Sequence, residues 1–168
     1  MSKRFFFNDL EALRIAVDIE KRGEKFYTVA ADKFGESGIK EMFLDLAQQE
    51  RDHARTFERL YGEAISVKEK YDDTYLFEPE ISAYLSAMVE TAMFPSDEKL
   101  IETLSKVDKV EDVINLGIRA EKDSILFYTE MIIYSKLVEA KDAFRKLLGE
   151  EKQHLLDLMA KLKEVGGK

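Results

Sequence analysis

Apolar residues recur at three- and four-residue intervals through most of the chain, the spacing of one helix face rather than of a strand. Four long helices follow from these rows and from the signals at their ends. The first starts after Asn8, a good N-cap, and runs to about Phe34 before Gly35. Its inward row is Leu13, Val17, Glu20, Tyr27 and Phe34. The second runs from near Ser37 to about Tyr61, stops at Gly62, and carries Phe43, Leu46, Glu50, His53, Phe57 and Leu60. The third begins after Asp108 and reaches about Leu137, with Ile114, Glu121 and Tyr128 on one face. The fourth runs from about Ala140 to Lys163, presents Phe144, Leu147, Glu151, His154 and Leu158, and ends at Gly166 and Gly167. Polar residues interrupt every one of these apolar rows.

Short links inside each pair predict two antiparallel hairpins, about 9–61 and 109–163. The intervening stretch 62–107 is too long for a plain loop. Pro79 suits the first turn of a short helix carrying Ile81, Tyr84, Leu85, Met88 and Val89, and Pro95-Ser96 opens another through about Ser105. This stretch reads as a helical crossover that climbs the bundle. The expected architecture is all-α: a four-helix bundle in one domain over residues 1–168.

Composition narrows the chemistry. Apolar residues make up 45% and charged residues 36% of the chain, with only two prolines, which suits a soluble helical protein. The formal net charge of −8 argues against a nucleic-acid partner, since phosphate binding needs a basic face. With no cysteine, disulfides, zinc ribbons, thiol catalysis and iron–sulfur clusters are excluded. No apolar run is long enough to span a membrane. The aromatic start Phe5–Phe7 stops at Asn8 without a cleavage-like site, so a cytoplasmic location is expected. Those phenylalanines read either as a staple packed on the first helix or as a docking or dimer patch.

A repeat sharpens the picture. Shifting the chain by 101 residues places Glu20 on Glu121, Phe26-Tyr27 on Phe127-Tyr128, Phe43 on Phe144, Glu50 on Glu151 and His53 on His154. The only two histidines each stand three residues after a glutamate, in Glu50-x-x-His53 and Glu151-x-x-His154, so each pair shares a helix face. Another glutamate lies 30 residues before each of these, at the middle of the preceding helix. Hairpin geometry then brings four glutamates and two histidines into one layer. Ionised carboxylates in an apolar interior cost several kcal/mol each unless paired, and four together repel. Two divalent cations would turn that layer into a ligand set.

Other residues are candidates of a weaker kind. Tyr27 and Tyr128 lie two turns beyond the first glutamates and can hydrogen-bond a ligand from a neighbouring helix, relay an electron, or simply pack with a satisfied hydroxyl. Glu24, one turn past Glu20, and Glu90 in the crossover are candidates for outer contacts, with a solvated position as the plainer alternative. Asp52, Asp123 and Asp157 are candidates to orient an imidazole. A glycosidase carboxylate pair is less consistent with the histidines and the fourfold layer.

Glu20, Glu50-x-x-His53, Glu121 and Glu151-x-x-His154 together resemble the rubrerythrins and the wider ferritin-like di-iron family, over the whole chain. The resemblance implies a ferritin-like topology and a centre of two iron ions, with manganese or a mixed pair as variants. It further implies that Glu50 and Glu151 bridge the metals, with Glu20 and His53 completing one and Glu121 and His154 the other. Two departures stand out: no Cys-x-x-Cys rubredoxin domain, and Ser124 where rubrerythrins carry a second glutamate three residues after the first. The six-residue set that remains is more similar to bacterioferritin. The implied function is a di-iron redox protein reacting with H2O2 or O2 in oxidative-stress defence, fed by a separate rubredoxin-type carrier and forming a homodimer. The alternatives are ferroxidase or iron storage, a structural bundle with a vestigial site, and oxygenation of an organic substrate, which needs an apolar pocket beside the metals.

Overall fold

A computed structural model of the chain describes residues 7–35, 38–66, 77–92, 94 and 96–167. Six helices carry them: α1 (Asp9–Lys33), α2 (Lys40–Ser66), α3 (Pro79–Glu90), α4 (Asp97–Ser105), α5 (Val110–Tyr134) and α6 (Val138–Gly166). The fold is the expected all-α bundle. Asn8 caps α1 by accepting the Glu11 amide, and Ser96 caps α4 through Lys99. Gly38, at φ +73°, supplies the left-handed residue that the tight α1–α2 turn needs. The expected helix start at Ser37, the Pro95 turn, and Phe5 and Phe6 lie outside the described residues.

Side-chain pairs fix the topology. Along α1 and α2, Glu24 meets Arg51 and Lys21 meets Glu58, in opposite chain order. Along α1 and α5, Tyr27 bonds Glu121 and Asp9 bonds Ser135, again in opposite order. Hence α1 runs antiparallel to both neighbours, α2 and α5 are parallel, and their connection must travel the length of the bundle. It does: α3 buries Leu85 in the apolar cluster that holds the far end of α2, with Phe57, Leu60 and Ala64. At the other end α4 buries Leu100 and Leu104 with Phe43, Val113 and Ile114.

Some boundaries differ from the sequence expectation. Gly62 does not stop α2, which continues to Ser66 because the next turn buries Ala64; that burial outweighs the roughly 1 kcal/mol that a mid-helix glycine costs. The third long helix ends at Tyr134 rather than Leu137. There Ser135 leaves helical geometry and donates to the buried Asp9 carboxylate, which also accepts the Lys136 amide at 3.0 Å. Tyr84 is exposed rather than packed, its hydroxyl directed toward Glu130. Phe7 is buried, its amide donating to Ser82 Oγ at 3.1 Å and its carbonyl accepting the Phe77 amide at 2.8 Å, so it staples the crossover to the bundle. Among the described residues, no helix is long and apolar enough to cross a membrane.

Candidate metal centre

Between the two apolar clusters lies a polar layer. Glu20, Glu50, His53, Glu121, Glu151 and His154 are each no more than 3% exposed. Two quartets bring their donor atoms within 4.8 Å of one another: Glu20, Glu50, His53 and Glu151, and Glu50, Glu121, Glu151 and His154. Glu50 and Glu151 belong to both. The two imidazoles face each other with ring centroids 5.6 Å apart and planes inclined by 14°.

The inward nitrogens are the informative atoms. His53 Nδ1 lies 2.8 Å from Glu151 Oε1, 3.4 Å from Glu20 Oε2 and 3.8 Å from Glu50 Oε2. His154 Nδ1 lies 3.3 Å from Glu50 Oε1 and 3.7 Å from both Glu121 Oε1 and Glu151 Oε2. Yet neither Nδ1, nor Glu20 Oε2, nor Glu151 Oε1, makes a hydrogen bond of good geometry. Buried polar atoms without partners are rare in folded proteins. Here they converge on a common space, and nitrogen and carboxylate oxygen are the donors that two divalent cations need.

Electrostatics agree. Burial raises the Glu20 carboxyl well above the carboxylate range, and repulsion from Glu151 adds to it. Glu50 is raised likewise, by burial and then by Glu20 and Glu121, and burial with Glu151 pushes Glu121 up to about 8. Burial opposes a charged imidazole, but contact with Glu151 prevails and lifts His53 to about 9; His154 is raised by Glu121, Glu151 and Glu50. Protons are therefore retained at neutral pH where cations would otherwise balance the charge.

The outer partners follow the repeat. Tyr27 donates to Glu121 and Tyr128 to Glu20, each crossing from its own helix to the other half. His53 Nε2 contacts Glu150 Oε2 at 2.9 Å, and His154 Nε2 contacts Gln49 Oε1 at 3.2 Å. Gln49 and Glu150 are related by the same shift of 101 residues. They were not among the sequence candidates, although each immediately precedes its Glu-x-x-His motif. The expected outer residues fare differently. Asp52 is exposed and paired with Gln48 and Arg55, and Asp157 is exposed and bonded by Gln153, so neither orients a histidine. Glu24 accepts from Arg51 Nε at 2.8 Å, and Glu90 is exposed at the last turn of α3; neither belongs to either quartet. Ser124, the position that departs from the rubrerythrin pattern, is buried and donates to the Ala120 carbonyl at 3.3 Å.

Gly23 is a further residue that sequence reasoning passed over. It follows Glu20 by three positions, and a Cβ there would stand 3.1 Å from Glu50 Cδ and 3.2 Å from Glu50 Oε2. A glycine in mid-helix was the available signal.

The ring of antiparallel helices, the long crossover and the central acidic layer define a ferritin-like carboxylate bundle. A structure from Thermotoga maritima, described as a ferritin-like diiron-carboxylate protein, is similar with a TM-score of 0.70 and 27% identity, over 95% of this chain and 97% of that one. No curated protein matches the chain. The rubrerythrin family model matches residues 11–99, and the chain belongs to the rubrerythrin family.

Proposed function

We propose that this protein is a di-iron redox protein that reacts with H2O2 or O2, taking electrons from a separate carrier. The observation that carries the reading is the pair of quartets sharing Glu50 and Glu151, with inward histidine nitrogens that have no hydrogen-bond partner. In this reading Glu20, Glu50, His53 and Glu151 would hold one iron and Glu50, Glu121, Glu151 and His154 the other. When bound, the irons supply two electrons together to the oxidant.

The chain's own residues do the rest. Tyr27 and Tyr128 hold the Glu121 and Glu20 carboxylates in orientation. Glu150 and Gln49 fix the imidazole rings from outside and thereby leave Nδ1 pointing inward. The aromatic clusters above and below, with Tyr27 on Phe43 and Phe57 on Tyr128 and Phe144, bound the layer with apolar surface at its two ends.

Ferroxidase or iron-buffering activity is the second reading. It is favoured by Ser124, whose hydroxyl is turned to the Ala120 carbonyl and adds no carboxylate to the layer. Anaerobic Fe(II) titration followed by stopped-flow mixing with O2 and, separately, with H2O2 tests both. Two irons per chain and faster oxidation by peroxide support the first reading. Faster reaction with O2, with continued iron uptake, supports the second. Failure to bind two metals per chain refutes both.

A further inference from the structure

A pocket with a cavity volume of about 60 Å3, open on one side to solvent, lies between α1, α5 and the crossover. Ile19, Phe26, Val89, Phe94, Ala120 and Phe127 contribute apolar walls, while Glu50 and Glu121 of the polar layer stand at its floor. Its charged lining groups are these two carboxylates together with Arg22 and Asp123.

What keeps the floor open is side-chain size at two related positions. Gly23 and Ser124 follow Glu20 and Glu121 by three residues, are related by the 101-residue shift, and both line the pocket. A single Cβ at Gly23 would already press on the Glu50 carboxylate at 3.1–3.2 Å, so a larger side chain would stand between pocket and layer.

We propose that this pocket binds the alkyl chain of an uncharged organic molecule and holds its end against the Glu50–Glu121 face of the layer. Apolar walls with convergent polar groups at one end are the construction of a small-molecule site. The polar lining groups are few and the walls mostly apolar, so an alkyl chain lies against carbon along most of its length, and each buried methylene tightens binding roughly fourfold. The floor's identity as a metal face rests on the proposed function; occupancy of the pocket does not.

The test uses full-length protein loaded with Zn(II), with 13C-methyl methionine and alanine, titrated with 1-butanol, 1-hexanol and 1-octanol. The expected result is saturable shifts at Met88 and Ala120 with Met131 and Met159 unmoved, tightening roughly 15-fold for each two methylenes, and no response to triethylene glycol of comparable length. Val89→Trp, on the crossover wall, is expected to weaken octanol binding at least tenfold. In Co(II)-loaded protein, octanol is expected to perturb the visible spectrum. Absence of saturable shifts, equal shifts at exposed Met159, or Val89→Trp binding within twofold of the parent overturns the pocket. Binding without spectral change overturns its contact with the metal face. Metal analysis of the same samples reports separately on the two-metal reading: fewer than two ions per chain defeats that reading, while the methyl shifts still decide the pocket.

Discussion

Replacing Gly23 by Ala separates what the helix prefers from what the centre needs. In a helix interior alanine is favoured over glycine by about 1 kcal/mol, so α1 alone gains from the change. Against that gain, the new Cβ stands 3.1 Å from Glu50 Cδ and 3.2 Å from Glu50 Cγ and Oε2, closer than ordinary van der Waals contact by a few tenths of an ångström. Without metal the Glu50 side chain is expected to give way by that amount. The gain survives, and melting in the presence of chelator rises by about 2–4 °C for a chain of this size. With metals bound, Glu50 belongs to both quartets and is held from two sides, so the same displacement disturbs both sets together. Affinity for the metal pair is then expected to fall about tenfold or more, the scale on which misplacing a metal's supporting shell acts. The assay is thermal unfolding with and without chelator, paired with Co(II) titration followed in the visible spectrum. A variant that binds two Co(II) ions as tightly as the parent refutes the placement of Glu50 between the metals. One that melts lower in chelator shows that Glu50 cannot yield, and removes the contrast on which the reasoning depends.

The remaining expectations concern the surroundings of the layer. Tyr27→Phe and Tyr128→Phe each strip one hydrogen bond from a buried glutamate and are expected to lower metal affinity 10–100-fold with the helical content intact, measured by metal titration and circular dichroism. Glu150→Ala removes the outer partner of His53 and is expected to weaken one of the two metals more than the other, giving a biphasic titration. In metal-free protein, His53 is raised from 6.5 to about 9 and Glu121 from 4.5 to about 8, so stability is lost progressively as pH rises, from 6.5 to about 9 through His53 and from 4.5 to about 8 through the growing cost of ionising Glu121. The chelated protein should therefore melt lower at pH 9 than at pH 6, whereas metal affinity should rise over the same span because binding displaces those protons. Gly117→Val, whose Cβ would stand 3.3 Å from both Leu158 Cδ1 and Phe26 Cε1, is expected to destabilise by about 1–3 kcal/mol in urea unfolding.

Much of this was legible in the chain because the buried rows are long and the layer is repeated. Glu20 and Glu121 stood out as acids in apolar rows, and the shift of 101 residues tied them to the two Glu-x-x-His motifs. Helix ends were less legible, because tertiary contacts overrode local signals: burial of Ala64 carries α2 past Gly62, and Asp9 ends α5 through Ser135. The outer partners were missed for a geometric reason. The sequence candidates, Asp52, Asp123 and Asp157, were sought on the same helices as the ligands. The observed partners cross between α2 and α6, where spacing within a helix carries no information.

The two sides of the layer are built for different tasks. On the α2–α6 side the stacked imidazoles close the layer, with Glu150 and Gln49 behind them, so a reactant has no room to approach between the rings. On the α1–α5 side two small residues, Gly23 and Ser124, line the pocket, which reaches Glu50 and Glu121 there. By its resemblance to the rubrerythrins, Ser124 stands where an additional glutamate is carried. A side chain of that size would reach from position 124 into the same space. With serine at 124 and glycine at 23, no larger side chain from these two positions stands between the pocket and the layer.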